Sequence, residues 1–212
     1  MAIVRQDRRR TFGRATYLLT LFTCFFATAS LAGSAAGSVE GWEIEQGVSP
    51  PSYAVIDPTS TNLNVDSVVL VCEAARHGRI LQLQVYLSTE EPLAPHGVSP
   101  WQLKEEPRAE AVIDGRVFPI GMLFADGYVV LANEEKQMVP RLSESLLNAM
   151  QFGRNMTLRF DLVAEPAGQP ADFDGEVVID LRAGAGGAAV AAVRRCTEPG
   201  SYSSPGVASA ER

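Results

Sequence analysis

The sequence predicts an α+β domain: a mostly antiparallel β-sheet of about six to seven strands with two helices packed on one side. Three observations predict it. Apolar and polar residues alternate in several separate runs, Asp-Gly pairs interrupt two apolar stretches, and two further stretches carry apolar residues at helical spacing.

The chain opens with a segment that lies apart from this domain. Arg5, Arg8, Arg9, Arg10 and Arg14 form a basic head, Tyr17 to Phe26 are mostly apolar, and small residues follow. That order is the pattern of a secretory signal peptide, assigned to residues 1–36. The apolar run is shorter than a bilayer span requires, so no stable membrane insertion is expected after cleavage. Residues 37–66 are polar and turn-rich, and read as an irregular lead-in with at most one short edge strand.

The domain itself is assigned to residues 67–196. Within Ser67 to Cys72 the apolar residues Val68 to Cys72 are continuous, as in a strand buried on both faces. In Ile80 to Leu87, Leu81, Leu83, Val85 and Leu87 alternate with Gln82, Gln84 and Tyr86, which predicts one buried and one wet face. A turn at His77-Gly78 joins the two runs into a hairpin. Residues 88–108 read as a long loop, because Pro92, Pro95, Pro100 and Pro107 interrupt any ladder. Long loops are often functional, so this one is the first candidate for a binding surface. Its residues of interest are Trp101 and His96, with Tyr86 beside them on the preceding strand. Trp101 reads either as a lid residue packing on the core edge or as a ligand contact.

Asp114-Gly115 and Asp126-Gly127 each predict a tight hairpin turn. The turn chemistry accounts for both aspartates without a catalytic role. Pro140 suits the first turn of a helix. Leu142, Leu146 and Met150 form its apolar stripe, and Gly153 ends it. Residues 156–163 alternate as a strand, with Thr157, Arg159 and Asp161 on the polar side. Residues 176–181 form the last strand. A glycine-rich connection leads to a final helix near 188–196, where Ala189, Val193 and Cys196 share one stripe. The tail 197–212 has little to bury and is expected to be disordered.

Cys24 leaves with the leader, so two cysteines remain. Two cysteines in an exported chain most often pair, and Cys72 with Cys196 is the expected disulfide; two separate buried thiols are the alternative. No Cys-x-x-Cys occurs, and His77 and His96 lack a ligand-spaced partner, so no metal site, cofactor or catalytic residue is expected. The whole chain carries 18 Lys plus Arg against 25 Asp plus Glu. The first 36 residues hold five Arg and one Asp, which leaves 13 basic and 24 acidic side chains, a net charge of about −11. Such a surface repels phosphate backbones, so nucleic acid is not an expected partner.

The exported leader, the strand ending in cysteine (Val68 to Cys72), the Asp-Gly turn, the leucine-bearing helix, "MTLRFDL" and the terminal "VVIDLRAGAGGAAVAAVRRC" occur in this order. Over residues 65–196 this pattern resembles periplasmic type VI secretion-associated proteins of the TagO and VasI kind. It also resembles the invasion-associated locus B family. Both resemblances imply a non-catalytic envelope protein, a secretion or host-interaction accessory factor whose partner is another envelope protein. A small-ligand or glycan binder using the 88–108 loop is the alternative reading. Either would be periplasmic or secreted.

Overall fold

A computed structural model describes residues 41–76, 78–133, 140–166, 168, 170 and 172–199. The expected leader, Cys24, His77 and residues 200–212 of the tail lie outside these.

The fold is mostly antiparallel β-sheet with two helices, but the sheet has ten strands rather than six to seven. In chain order they are β1 (Glu43–Ile44), β2 (Tyr53–Ile56), β3 (Ser60–Thr61), β4 (Val65–Ala75), β5 (Gly78–Leu87), β6 (Leu103–Ile113), β7 (Arg116–Ala125), β8 (Tyr128–Ala132), β9 (Asn155–Val163) and β10 (Gly175–Asp180). The helices are α1 (Glu144–Phe152) and α2 (Gly186–Arg194). Three of the extra strands arise in the stretch read as irregular. β1 and β3 are two residues each, too short to carry any periodicity, and exist because a partner strand accepts them. β6 also begins six residues earlier than the loop assignment allowed, at Leu103 rather than Ala109. Pro107 is accommodated because the β6–β9 register shifts between Leu103 and Arg108, and a bulge needs no donor there.

The lateral order is β1-β2-β4-β5-β8-β7-β6-β9-β10-β3. In a flat sheet, β2 and β3 would lie roughly 38 Å apart. The three residues joining them reach no more than about 14 Å. The sheet therefore curls until its two margins meet. Along this seam Thr59 N–H donates to the Val178 carbonyl at 2.8 Å, and Asn62 N–H to that of Glu176 at 3.3 Å. Farther along, Trp42 N–H reaches the Ala183 carbonyl at 3.5 Å.

The curled sheet encloses one core. Val68, Leu70 and Cys72 of β4, Leu81, Leu83 and Val85 of β5, Val129 and Leu131 of β8, and Met156, Leu158 and Phe160 of β9 all point into it. The expected hairpins form. β4 pairs with β5, β6 with β7 across Asp114-Gly115, and β7 with β8 across Asp126-Gly127. Asp114 and Gly115 have φ of 47° and 82°, which the Asp-Gly pair tolerates. The Asp114 carboxylate also accepts the backbone N–H groups of Arg154 and Asn155, tying this turn to the start of β9.

Two expectations change in detail. Gln82 and Gln84 are 7% and 5% exposed, not wet: Gln82 Nε2 donates to the Pro140 carbonyl at 2.6 Å, and Gln84 lies between Glu73 and Tyr86, bonded to both. Pro140 thus lies outside the helix. α1 starts at Glu144, where the Ser143 hydroxyl caps it by accepting from Leu146 N–H. Gly153 does follow the helix, yet its φ is −71°, so handedness is not the reason for glycine. A Cβ there would sit 2.5 Å from the Ala149 carbonyl oxygen and from Ile113 Cγ2.

α2 buries Ala189, Val190 and Val193 as its stripe implies, and packs against α1, β2 and β4. One turn beyond its end Cys196 is bonded to Cys72, with Cα atoms 6.4 Å apart. The glycine-rich junction before α2 is tight rather than slack. A Cβ on Gly186 would lie 2.1 Å from the Leu181 carbonyl oxygen and 2.7 Å from Trp42 Cδ1.

Two outcomes follow from this packing. Reduction of the disulfide, or Cys196→Ser, is expected to lower the unfolding free energy by up to about 4 kcal/mol in a urea titration, because the bond closes a long loop. Gly186→Ala is expected to destabilise by about 3 kcal/mol, since the clash is with backbone and cannot relax by rotamer change; a melting temperature equal to the parent's would contradict the close approach.

Candidate binding surface

Pairing registers place several termini at one end of the sheet. Leu87 at the end of β5, the β7–β8 turn, the start of β6 and the end of β9 all lie there, linked by Leu87 N–H to the Gly127 carbonyl at 3.0 Å and Ala164 N–H to the Gln102 carbonyl at 2.8 Å.

The segment 88–99 covers part of this end and is firmly held. Leu63 and Leu93 are buried as its anchors. Asn64 acts as a clasp: its backbone and side chain bond to Ala94, Ser88, Thr89 and Pro92. His96 N–H donates to the Asn62 carbonyl at 2.9 Å, while the side chain is exposed. The chain then makes a single 3₁₀ turn, Pro100–Gln102, before β6. Ser99 N–H donates to Gln102 Oε1 at 2.9 Å and Gln102 N–H to the Ser99 carbonyl, also at 2.9 Å.

Trp101 rides on this turn and is 85% exposed. The reading of it as a lid packed on the core edge is overturned: the bonds around the turn fix its backbone while leaving the indole in water. Tyr86 stacks on Tyr128 with centroids 5.2 Å apart, and its hydroxyl donates to Gln84 Oε1 at 3.0 Å. Burial raises the Tyr86 pKa above the ordinary phenol value, and Tyr128 and Glu73 push the same way. The structure places Trp101, His96 and Tyr86 at this one end of the sheet; among the described residues, no hydrogen bond or ring stacking joins these three side chains to one another.

Sequence reading missed two features here. The first is apolar: Leu123 and Phe124 near the β7–β8 turn are 51% and 56% exposed. The second is ionic. Asp161, expected on a wet face, is fully buried. Its carboxylate takes Lys104 Nζ on one oxygen and Arg108 on the other, at 2.9 Å from Nε and 2.5 Å from Nη2. Lys104 also binds Glu165 Oε1 at 2.7 Å. Burial acts to lower the Lys104 pKa, but its bonds to Asp161 and Glu165 outweigh this and raise it.

Described residues of the connection between β9 and β10, Glu165 and Asp172 to Asp174, lie against this cluster. Phe173 packs beneath the guanidinium groups of Arg159 and Arg108, at 4.5 and 5.9 Å. Asp174 accepts the N–H groups of Leu162 and Val163. Lys104 and Arg108 are ion-paired internally, although the Arg108 side chain stays 60% exposed, and Asp161 and Glu165 balance their charge. Glu90, Glu91, Glu105, Glu106 and Asp126 are exposed at the same end, so the charge offered outward is acidic.

Three shallow cavities lie elsewhere. One of about 400 Å³ is bounded by Phe152, Arg182 and residues 184–188; one of about 290 Å³ lies by Asp114 and Asn148; one of about 280 Å³ is at the β3–β10 margin. Trp101, His96 and Tyr86 line none of these. Among the described residues, no group of three or more His, Cys, Asp or Glu side chains is placed to hold a metal ion. Also among them, no helix is long and apolar enough to cross a membrane. No family model, curated protein or solved structure matches the chain.

The hydrogen bond from Lys104, with smaller help from backbone donors that include Asp172 N–H, lowers the Glu165 carboxyl from its usual 4.5 to about 2. A depressed carboxyl contributes stability that is present above its unfolded value, near 4.5, and lost as pH falls through about 2. Hydrogen exchange at the Asp172 amide is therefore expected to stay slow from neutral pH to about 4 and to speed up toward pH 2, after correction for the intrinsic rate. Glu165→Gln should remove that extra acid dependence.

Proposed function

We propose that this chain is an exported, non-catalytic binding protein that engages another envelope protein through the end of the sheet carrying Trp101. One observation carries the reading. A tryptophan 85% exposed on a hydrogen-bonded turn leaves a large apolar surface in water without the freedom to fold it away. Tryptophan is the residue most often found as an energetic anchor in protein interfaces, and a fixed anchor loses little entropy on binding.

Three further observations support it. The leader pattern and the Cys72–Cys196 bond both suit an oxidising compartment. At this end Lys104 and Arg108 are balanced by Asp161 and Glu165, and the acidic excess of the chain disfavours nucleic acid. The resemblance to secretion-associated and invasion-associated envelope proteins points to an accessory role in secretion or host interaction.

Crosslinking capture from envelope extract tests the proposal. The parent protein is expected to retain a partner that Trp101→Ala loses by about tenfold or more, the scale of an interface anchor. The melting temperature should not change, because the side chain packs on little. Recovery of nothing above background, or equal recovery by the variant, would overturn the role given to this end.

A further inference from the structure

β7 belongs to two ladders in succession. Arg116 to Ile120 pair with Ile113 to Ala109 of β6, and Gly121 to Ala125 pair with Ala132 to Tyr128 of β8. Among the described residues, β7 has no strand paired on its β6 side from Gly121 onward. Continuing the earlier register would set Glu106 opposite Leu123 and Glu105 opposite Phe124, but β6 has turned away toward β9. The two strands splay apart into a cleft open at the end of the sheet that carries Trp101.

The side chains bordering this cleft are unlike those of a protected edge. Natural edges are shortened, or guarded by charge, proline or bulges. β1 and β3, the outer strands, are two residues long. The β6 arm holds Lys104, Glu105, Glu106, Pro107 and Arg108, and a bulge. The β7 arm reads Gly-Met-Leu-Phe-Ala, with no charge and no proline.

Leu123 pairs with Val130 on the outer face, and Phe124 with the fully buried Val129 on the core face. Both are more than half exposed. A partner lying flat on either face would cover one of them. A strand added alongside β7 covers both, because its own residues alternate across the same two faces. Asp161 and Glu165 together balance Lys104 and Arg108, so the net charge at the cleft is that of Glu105, Glu106 and Asp126, none of which has an ion pair among the described residues.

We propose that residues 121–125 of β7 form a strand-addition site for an extended, lysine- or arginine-bearing segment of a partner polypeptide. Main-chain hydrogen bonds to the open edge supply affinity. Apolar residues of the segment cover Leu123 and Phe124, and its cations meet Glu105, Glu106 and Asp126. The inference rests on the binding role proposed above and names the chemistry of the partner.

The probe is a synthetic ten-residue peptide of alternating valine and lysine, added to the intact oxidised protein. Hydrogen exchange of the amides within 121–125 is expected to slow at least tenfold. The same peptide with glutamate for lysine should give no slowing, nor should one whose ladder amides are N-methylated. Leu123→Lys, which places a charge on the edge at a half-exposed position, should keep the parent melting temperature and abolish the protection.

Unchanged exchange at saturating peptide would overturn the proposal, as would equal protection by the glutamate peptide. Protection that appears in the protein alone and grows with its concentration would also overturn it, by showing that a second copy takes the edge. Should Trp101-dependent capture of an envelope partner succeed while 121–125 stays unprotected by both partner and peptide, the strand-addition site fails and the binding role stands. Should capture fail while the lysine peptide protects the edge, the strand-addition chemistry holds and the role given to Trp101 falls.

Discussion

The three residues between β2 and β3 impose the constraint on which the remainder of the structure depends. They join strands that lie near opposite margins of a ten-stranded sheet, and so oblige that sheet to curl. Once it curls, the inward residues of β4, β5, β8 and β9 face one another and form a core without a second full layer. α2 needs little apolar surface to complete that core. Its small residues let it approach closely at Gly186, and the bond from Cys196 to Cys72 fixes its far end to β4. A flat sheet of this composition would leave one face of β4 and β5 in water and give Trp42 nothing to pack on.

The same curvature creates the surface read as functional. A curled sheet must change direction somewhere, and here it does so at β7, where pairing passes from β6 to β8 around Ile120 and Gly121. Strands that part company leave an opening. At that opening sit the exposed aromatic and aliphatic groups, while Lys104 and Arg108 of β6 are drawn onto the buried Asp161. The binding end is thus defined as much by where cations have been withdrawn as by which apolar groups remain.

Much of the fold was legible because its signals are local. Asp114-Gly115 and Asp126-Gly127 fix their turns by backbone chemistry, the Leu146–Met150 spacing marks α1, and the stripe of Ala189, Val193 and Cys196 marks α2 with its disulfide. What was hidden is non-local. β1 and β3 owe their existence to partners distant in sequence, β3 to a strand more than 110 residues away. Gln82 and Gln84 alternate as wet residues do, and only the folded chain brings Pro140 and Glu73 to them. Asp161 has the spacing of a surface residue, and nothing nearby in sequence announces that Lys104 and Arg108 will cover it. For the binding surface, the loop bearing Trp101 was identifiable from its prolines and length. The exposure of Leu123 and Phe124 was not, because β7 reads as an ordinary strand until the sheet turns.

The long-range closure also dictates an order of assembly. A chain delivered amino terminus first presents β2, β4 and β5 early, and those neighbours are able to zip together at once. β3 must wait for β10, and Cys72 for a thiol 124 residues downstream. Until the carboxyl-terminal helix arrives, the half-built sheet holds an unjoined sulfur and two unmatched margins, the state in which pairing with the wrong neighbour is easiest. Correct pairing is therefore completed only when Gly175 to Cys196 arrive, and a helper that shields nascent strands would have its greatest effect before they emerge.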